Sequence, residues 1–147
     1  MVKSMSYQRV VAFIADRNGE AQQSIPTGTP TTFEATQVAS DIGGYYNNST
    51  FIWTPQAGIY IAHAKIKIID LDSNDELMVT ITKDSNPIYF DNRFSTANNQ
   101  APSASAFGLV FANGSNQFSV LIEHNQGANL DISSDPIESY FYGYRIG

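Results

Sequence analysis

The chain has 147 residues, 42% of them hydrophobic and only 15% charged, with 14 acidic side chains against 8 basic ones for a formal net charge of −6. That length makes one domain able to bury its own core, and the scatter of the basic residues excludes a stripe that could track a nucleic-acid backbone or an anionic membrane surface. Cysteine is absent, which excludes disulfide staples, thiolate metal sites and thiol nucleophiles.

Residues 1–8 read as a short N-terminal arm ahead of a domain over 9–147. The arm lacks the apolar core of a secretory signal, so synthesis in the cytosol without export is expected. No apolar run is long enough to span a membrane.

From there the chain alternates with period two and is punctuated by Gly, Pro, Asn, Ser and Asp. Arg9–Ala15 reads as the first strand, closed by Asn18-Gly19. Gln22–Thr31, with two prolines, reads as a loop or a broken edge strand, and Thr32–Ala35 as a short strand around Phe33. Gly43-Gly44 breaks the chain before Tyr45-Tyr46, and Phe51–Trp53 is an aromatic strand stopped by Pro55. Gly58–Ile69 is the clearest strand, with Tyr60, Ala62, Ala64, Ile66 and Ile68 on one face and Ile59, Ile61, His63, Lys65 and Lys67 on the other. Leu77–Thr82 and Ile88–Phe90 follow. Ser105–Ala112, with Phe107, Leu109 and Phe111 on one face, is joined through Asn113-Gly114 to Phe118–Glu123. Asn125–Ser134 reads as a loop and Ser139–Ile146 as the closing strand. The result is an all-β, antiparallel two-sheet jelly-roll sandwich of about ten strands.

Five features in order resemble the globular head of complement component one, subcomponent q, and its tumour-necrosis-factor relatives, in a viral (phage) version. They are Val11-Ala12-Phe13-Ile14-Ala15; Phe33 followed by Tyr45-Tyr46-Asn47; Phe51 to Tyr60 with Thr54, Pro55 and Gly58-Ile59-Tyr60; the hairpin Leu109-Val110-Phe111 to Phe118-Ser119-Val120; and Ser139-Tyr140-Phe141-Tyr142-Gly143-Tyr144. The resemblance implies a compact homotrimer. Tyr140, Tyr142 and Tyr144 are too many aromatics for a free face. On the family topology they share the inner sheet with Ile59, Ile61 and His63, and these six residues are the expected trimer interface.

The chemistry-bearing residues form no catalytic constellation. Asp70-x-Asp72-x-Asn74 imitates the start of a calcium loop, but its sixth position is Asp75 and its twelfth Ile81. A solvated acidic turn without a tight metal site is therefore expected. His63 lies mid-strand, where packing or an interface is its role, and His124 ends a strand beside a loop and is expected to be exposed. No nucleophile turn of the Gly-x-Ser-x-Gly type occurs. Asp131, Asp135 and Glu138 read as capping or solvated groups in a Ser-rich loop, and Tyr45, Tyr46 and Trp53 as core before sugar-stacking platforms. A non-enzymatic binding or structural module with no cofactor and no metal is expected. The favoured setting is the virion, as a trimeric decoration or cement protein whose partners are its own copies and capsid or other virion proteins. The alternative is a receptor- or glycan-binding head of a phage fibre or bacterial surface protein. Attachment is assigned to the arm, through Val2, Lys3, Tyr7 and Arg9.

Overall fold

The computed structural model describes residues 10–147. Among them there are thirteen strands and no helix. In chain order they are β1 (Ala12–Asp16), β2 (Gln23–Ile25), β3 (Thr31–Thr32), β4 (Gln37–Ile42), β5 (Tyr46–Asn47), β6 (Ile52–Trp53), β7 (Gly58–Lys67), β8 (Glu76–Lys83), β9 (Asn86–Phe94), β10 (Ser103–Ala112), β11 (Phe118–His124), β12 (Leu130–Ile132) and β13 (Tyr140–Arg145).

They build two stacked antiparallel sheets. The first runs β10-β7-β13-β1-β4, the second β5-β6-β11-β8-β9 with β3 added alongside β11. The closing strand thus lies between the first strand and the long β7, as the jelly-roll reading requires. A small third sheet, β12-β2, is bridged to the end of β7 through Ile68 and Ile132.

Strand β12 lies inside the stretch read as a loop, and β2 inside the one read as a loop or a broken edge strand. The pair β2 and β12 is short, but each buries its alternate residues, Gln23 and Ile25 in one and Leu130 and Ile132 in the other. Strand β4 was invisible to periodicity because its Gln-Val-Ala-Ser-Asp-Ile sequence is almost wholly exposed on an edge, where pairing with β1 and not burial defines it. Strand β9 extends to Phe94, beyond its apolar centre, because it is the last strand of its sheet and its pairing with β8 continues to Glu76.

The core is aromatic at one end. Trp53 has no exposed surface, and its ring lies 4.7 Å from Phe13, 5.2 Å from Tyr60 and 5.5 Å from Phe118. Tyr46 stacks on Phe13 at 5.0 Å, and its hydroxyl donates a hydrogen bond to the Ala35 carbonyl at 2.9 Å. Burial pushes the Tyr46 phenol well above its usual range. Tyr46 and Trp53 are therefore core residues, with no ring face left for a sugar. Tyr45 is half-buried, and its amide and that of Tyr46 donate to the Asp41 carboxylate at 3.2 and 3.0 Å.

Gly143 is what lets this cluster close. A Cβ there would lie 2.5 Å from Trp53 Cη2 and 3.0 Å from Phe13 Cε1. Gly143→Ala is expected to lower stability by about 1–3 kcal/mol through overpacking. In a urea titration the midpoint should fall with the slope unchanged. An unchanged midpoint would mean that the indole can tilt away at no cost.

Candidate functional site

Alternation along β7 sends Tyr60, Ala62, Ala64 and Ile66 into the core and Ile59, Ile61, His63, Lys65 and Lys67 outward. In β13 the same rule buries Phe141 and Gly143 and turns Tyr140, Tyr142 and Tyr144 out. The register then assembles cross-strand rows on the outward face. Phe107 stands opposite His63, His63 opposite Tyr142, and Tyr142 opposite Ile14. The next row is Leu109, Ile61, Tyr144 and Ala12, and beyond it Phe111 stands opposite Ile59. All six residues assigned from sequence to the interface share this one face.

Three more belong to it. Phe107, Leu109 and Phe111 are 67%, 39% and 59% exposed, which is anomalous for aromatic and aliphatic side chains side by side. Their alternation along β10 was legible in sequence, but their adjacency to His63 and Ile61 depends on a pairing between β7 and β10 that spans forty residues of chain.

The tyrosines form a ladder. The rings of Tyr140 and Tyr142 stack at 5.7 Å and those of Tyr142 and Tyr144 at 6.2 Å. His63 abuts the ladder edge-on, 5.0 Å from Tyr142 and 5.5 Å from Tyr140, and lies 5.8 Å from Phe107 on its other side. His63 Nδ1 and the Tyr142 hydroxyl are 2.9 Å apart and share a hydrogen bond, while His63 Nε2 is enclosed and has no partner. Burial, with the Lys65 ammonium adding to it, pulls the His63 pKa below its usual value. Burial and the neighbouring phenols push Tyr142 up, and burial pushes Tyr140 up, so these two phenols are held neutral.

Charge is confined to one end of the face. Lys67 Nζ sits 2.5 Å from Glu138 Oε1, and Glu138 Oε2 also accepts from the Ser133 hydroxyl at 2.6 Å. These two hydrogen bonds hold the Glu138 carboxyl below its usual range. Asp135 accepts from the Ile137 amide at 3.0 Å. Both acids thus serve to hold their loop.

His124 departs from expectation. It is 2% exposed, with Nε2 2.8 Å from the Ile25 carbonyl. The segment after β2 folds over the end of β11, where the Gly28 amide donates to the His124 carbonyl at 2.7 Å, and this covers a side chain that strand position alone would leave at a loop mouth. The arm residues Val2, Lys3, Tyr7 and Arg9 lie outside the described residues.

The acidic turn is held by hydrogen bonds to residues 95–99. Asp72 accepts from the Asn99 amide at 3.2 Å, and the Asp75 carbonyl accepts from the Ser95 amide at 2.9 Å. Asp70 and Asn74 adopt positive φ, at 64° and 70°. Among the described residues no three His, Cys, Asp or Glu side chains are grouped to hold a metal ion. Millimolar calcium is therefore expected to leave the melting temperature unchanged within error. A rise of several degrees, reversed by chelator, would establish a site that stabilises by mass action.

No family model matches the chain, and no curated protein matches it in sequence. Its similarities are to solved structures. The Eiger TNF of S. frugiperda aligns with a TM-score of 0.71 at 11% identity, covering 95% of this chain and 94% of that one. Murine APRIL aligns at 0.68 and 15%, covering 94% and 100%. The globular domain of zebrafish complement 1qA protein aligns at 0.65 and 16%, covering 93% and 98%. At such identities the likeness is one of fold, and the fold of this chain is the antiparallel jelly roll shared by tumour-necrosis-factor ligands and complement globular heads.

Proposed function

We propose that the protein is a non-enzymatic, homotrimeric binding or structural module, assembled through the outward face of the β10-β7-β13-β1-β4 sheet. The observation that carries this reading is the continuous apolar and aromatic surface from Phe107 and Phe111 through Ile59, Ile61 and His63 to the tyrosine ladder. Across five strands such a face measures about 20 Å. It lacks the charges that keep a monomer surface solvated, and its charged residues are gathered at the Lys67–Glu138 end. A second copy fits because apolar surface meets apolar surface and no unpaired carboxylate must be desolvated. The number three is taken by analogy with the fold.

Two substitutions test the face. In sedimentation equilibrium at micromolar concentration the wild type should behave as a trimer. Tyr144→Glu should weaken association by about a hundredfold or more, since three carboxylates would then meet in an apolar contact. Its far-UV circular dichroism should stay that of the wild type, because Tyr144 lies on the outward face of β13 and is 43% exposed. A monomeric wild type would end this reading.

The finer reading is a decoration or cement protein that clamps capsid subunits. It is supported by the placement of Lys3 and Arg9 in a short arm on a chain whose net charge is −6. Such an arm suits an acidic groove or an open strand edge of a larger assembly. Deleting residues 1–6 should leave the trimer and its melting temperature intact but sharply reduce binding to the parent capsid. Equal binding by the truncated chain would move the attachment surface elsewhere.

A further inference from the structure

The centre of the proposed interface is occupied by an ionisable group that is poorly provided for when charged. An imidazolium donates from both nitrogens. The Tyr142 hydroxyl can accept from Nδ1 of His63, but Nε2 is enclosed with no acceptor. Around the ring there is no counter-charge. On its own strand the neighbour along the face is the cation Lys65. From β13 come the phenols of Tyr140, Tyr142 and Tyr144. From β10 comes Phe107, flanked on the same face by Ser105 and Leu109, none of them ionisable. Of the carboxylates at that end of the sheet, Glu138 is engaged by Lys67 and Ser133, and Asp16, opposite Tyr140 on β1, is buried and accepts from the Asn18 amide at 2.8 Å.

Closing this face against further copies removes the remaining solvent from three imidazoles and brings three Lys65 ammonium groups towards one another. Resting on the trimeric reading above, we propose that His63 makes the assembly acid-labile: the trimer holds His63 neutral, and protonation of His63 releases folded monomers. The sign follows from linkage. Burial lowers the His63 pKa below the 6.5 of a free imidazole, and assembly buries it further. The folded monomer therefore already titrates below 6.5 and the trimer lower still, so the dissociated chain binds more protons than the trimer once the pH falls below the monomer's own lowered value. Stability of the assembly is full above the monomer's value and is lost as the pH falls from there towards the trimer's.

The test is the trimer–monomer dissociation constant of the full chain by sedimentation equilibrium between pH 8.0 and 5.0, with far-UV circular dichroism at each pH. The wild type should be trimeric at pH 8.0. Its dissociation constant should rise by about a hundredfold or more down to pH 5.5, against a limit of about a thousandfold per pH unit for three protons taken up. The dissociated chain should keep its β-sheet spectrum. His63→Phe keeps an aromatic ring that cannot titrate, and the more conservative His63→Gln keeps polarity. Either should flatten the pH dependence to within a few-fold.

The outcomes separate the two claims. A wild type that is monomeric at pH 8.0 refutes the trimer itself. A wild type that is trimeric at pH 8.0 but equally associated at pH 5.5 overturns the acid release alone. So does an acid transition that persists in both variants, which would belong to another group. Loss of the β-sheet spectrum together with dissociation also overturns it, because the acid would then be acting on the fold.

Discussion

Everything on the outward face depends on one register, that of β13 in the gap between β1 and β7. In this strand Phe141 and Gly143 must point inward, because Phe141 packs edge-on against Phe13 at 4.9 Å and Gly143 leaves the space that the Trp53 ring fills. Tyr140, Tyr142 and Tyr144 then have no choice but to point out. A slip of one residue would drive three phenols into the core and put Phe141 on the surface. The aromatic core and the aromatic face are therefore two sides of a single constraint, and neither can be altered without the other.

Much of this was legible in the amino-acid sequence, for a physical reason. Period-two alternation is strongest where one side of a strand is wet or waiting for a partner, as in Gly58–Ile69 and Ser139–Ile146, and there the faces were assigned correctly residue by residue. Alternation fails where a strand exists only by virtue of its neighbour. In β4, Val38 and Ile42 are both exposed and the strand is held to β1 by backbone bonds. The Leu130-Asp131-Ile132 segment is too short to show a period, yet it pairs with Gln23–Ile25. His124 illustrates the same limit, since what buries it lies some hundred residues earlier in the chain, around Ile25.

The candidate face was legible in part. Its β7 and β13 members were found because too many tyrosines share one side of a strand, a signal in composition. Its β10 members were seen to share a side, but nothing local says which strand lies next to them. The hydrogen bond between His63 and Tyr142 is a product of register across 79 positions, and its consequence for ionisation lies in the enclosure of Nε2, which no sequence pattern encodes.

The order of the strands has a consequence for synthesis. In the sheet β10-β7-β13-β1-β4 the last of the described strands to be made is inserted at the centre, between the first of them and one from the middle. A chain halted before residue 140 can form the opposite sheet but has a gap where the tyrosine ladder belongs, with the edges of β1 and β7 unpaired. The outward aromatic face is therefore complete only once residues 140–145 have been made. A chain halted earlier carries Ile59, Ile61 and Phe107 without the tyrosines that stand beside them.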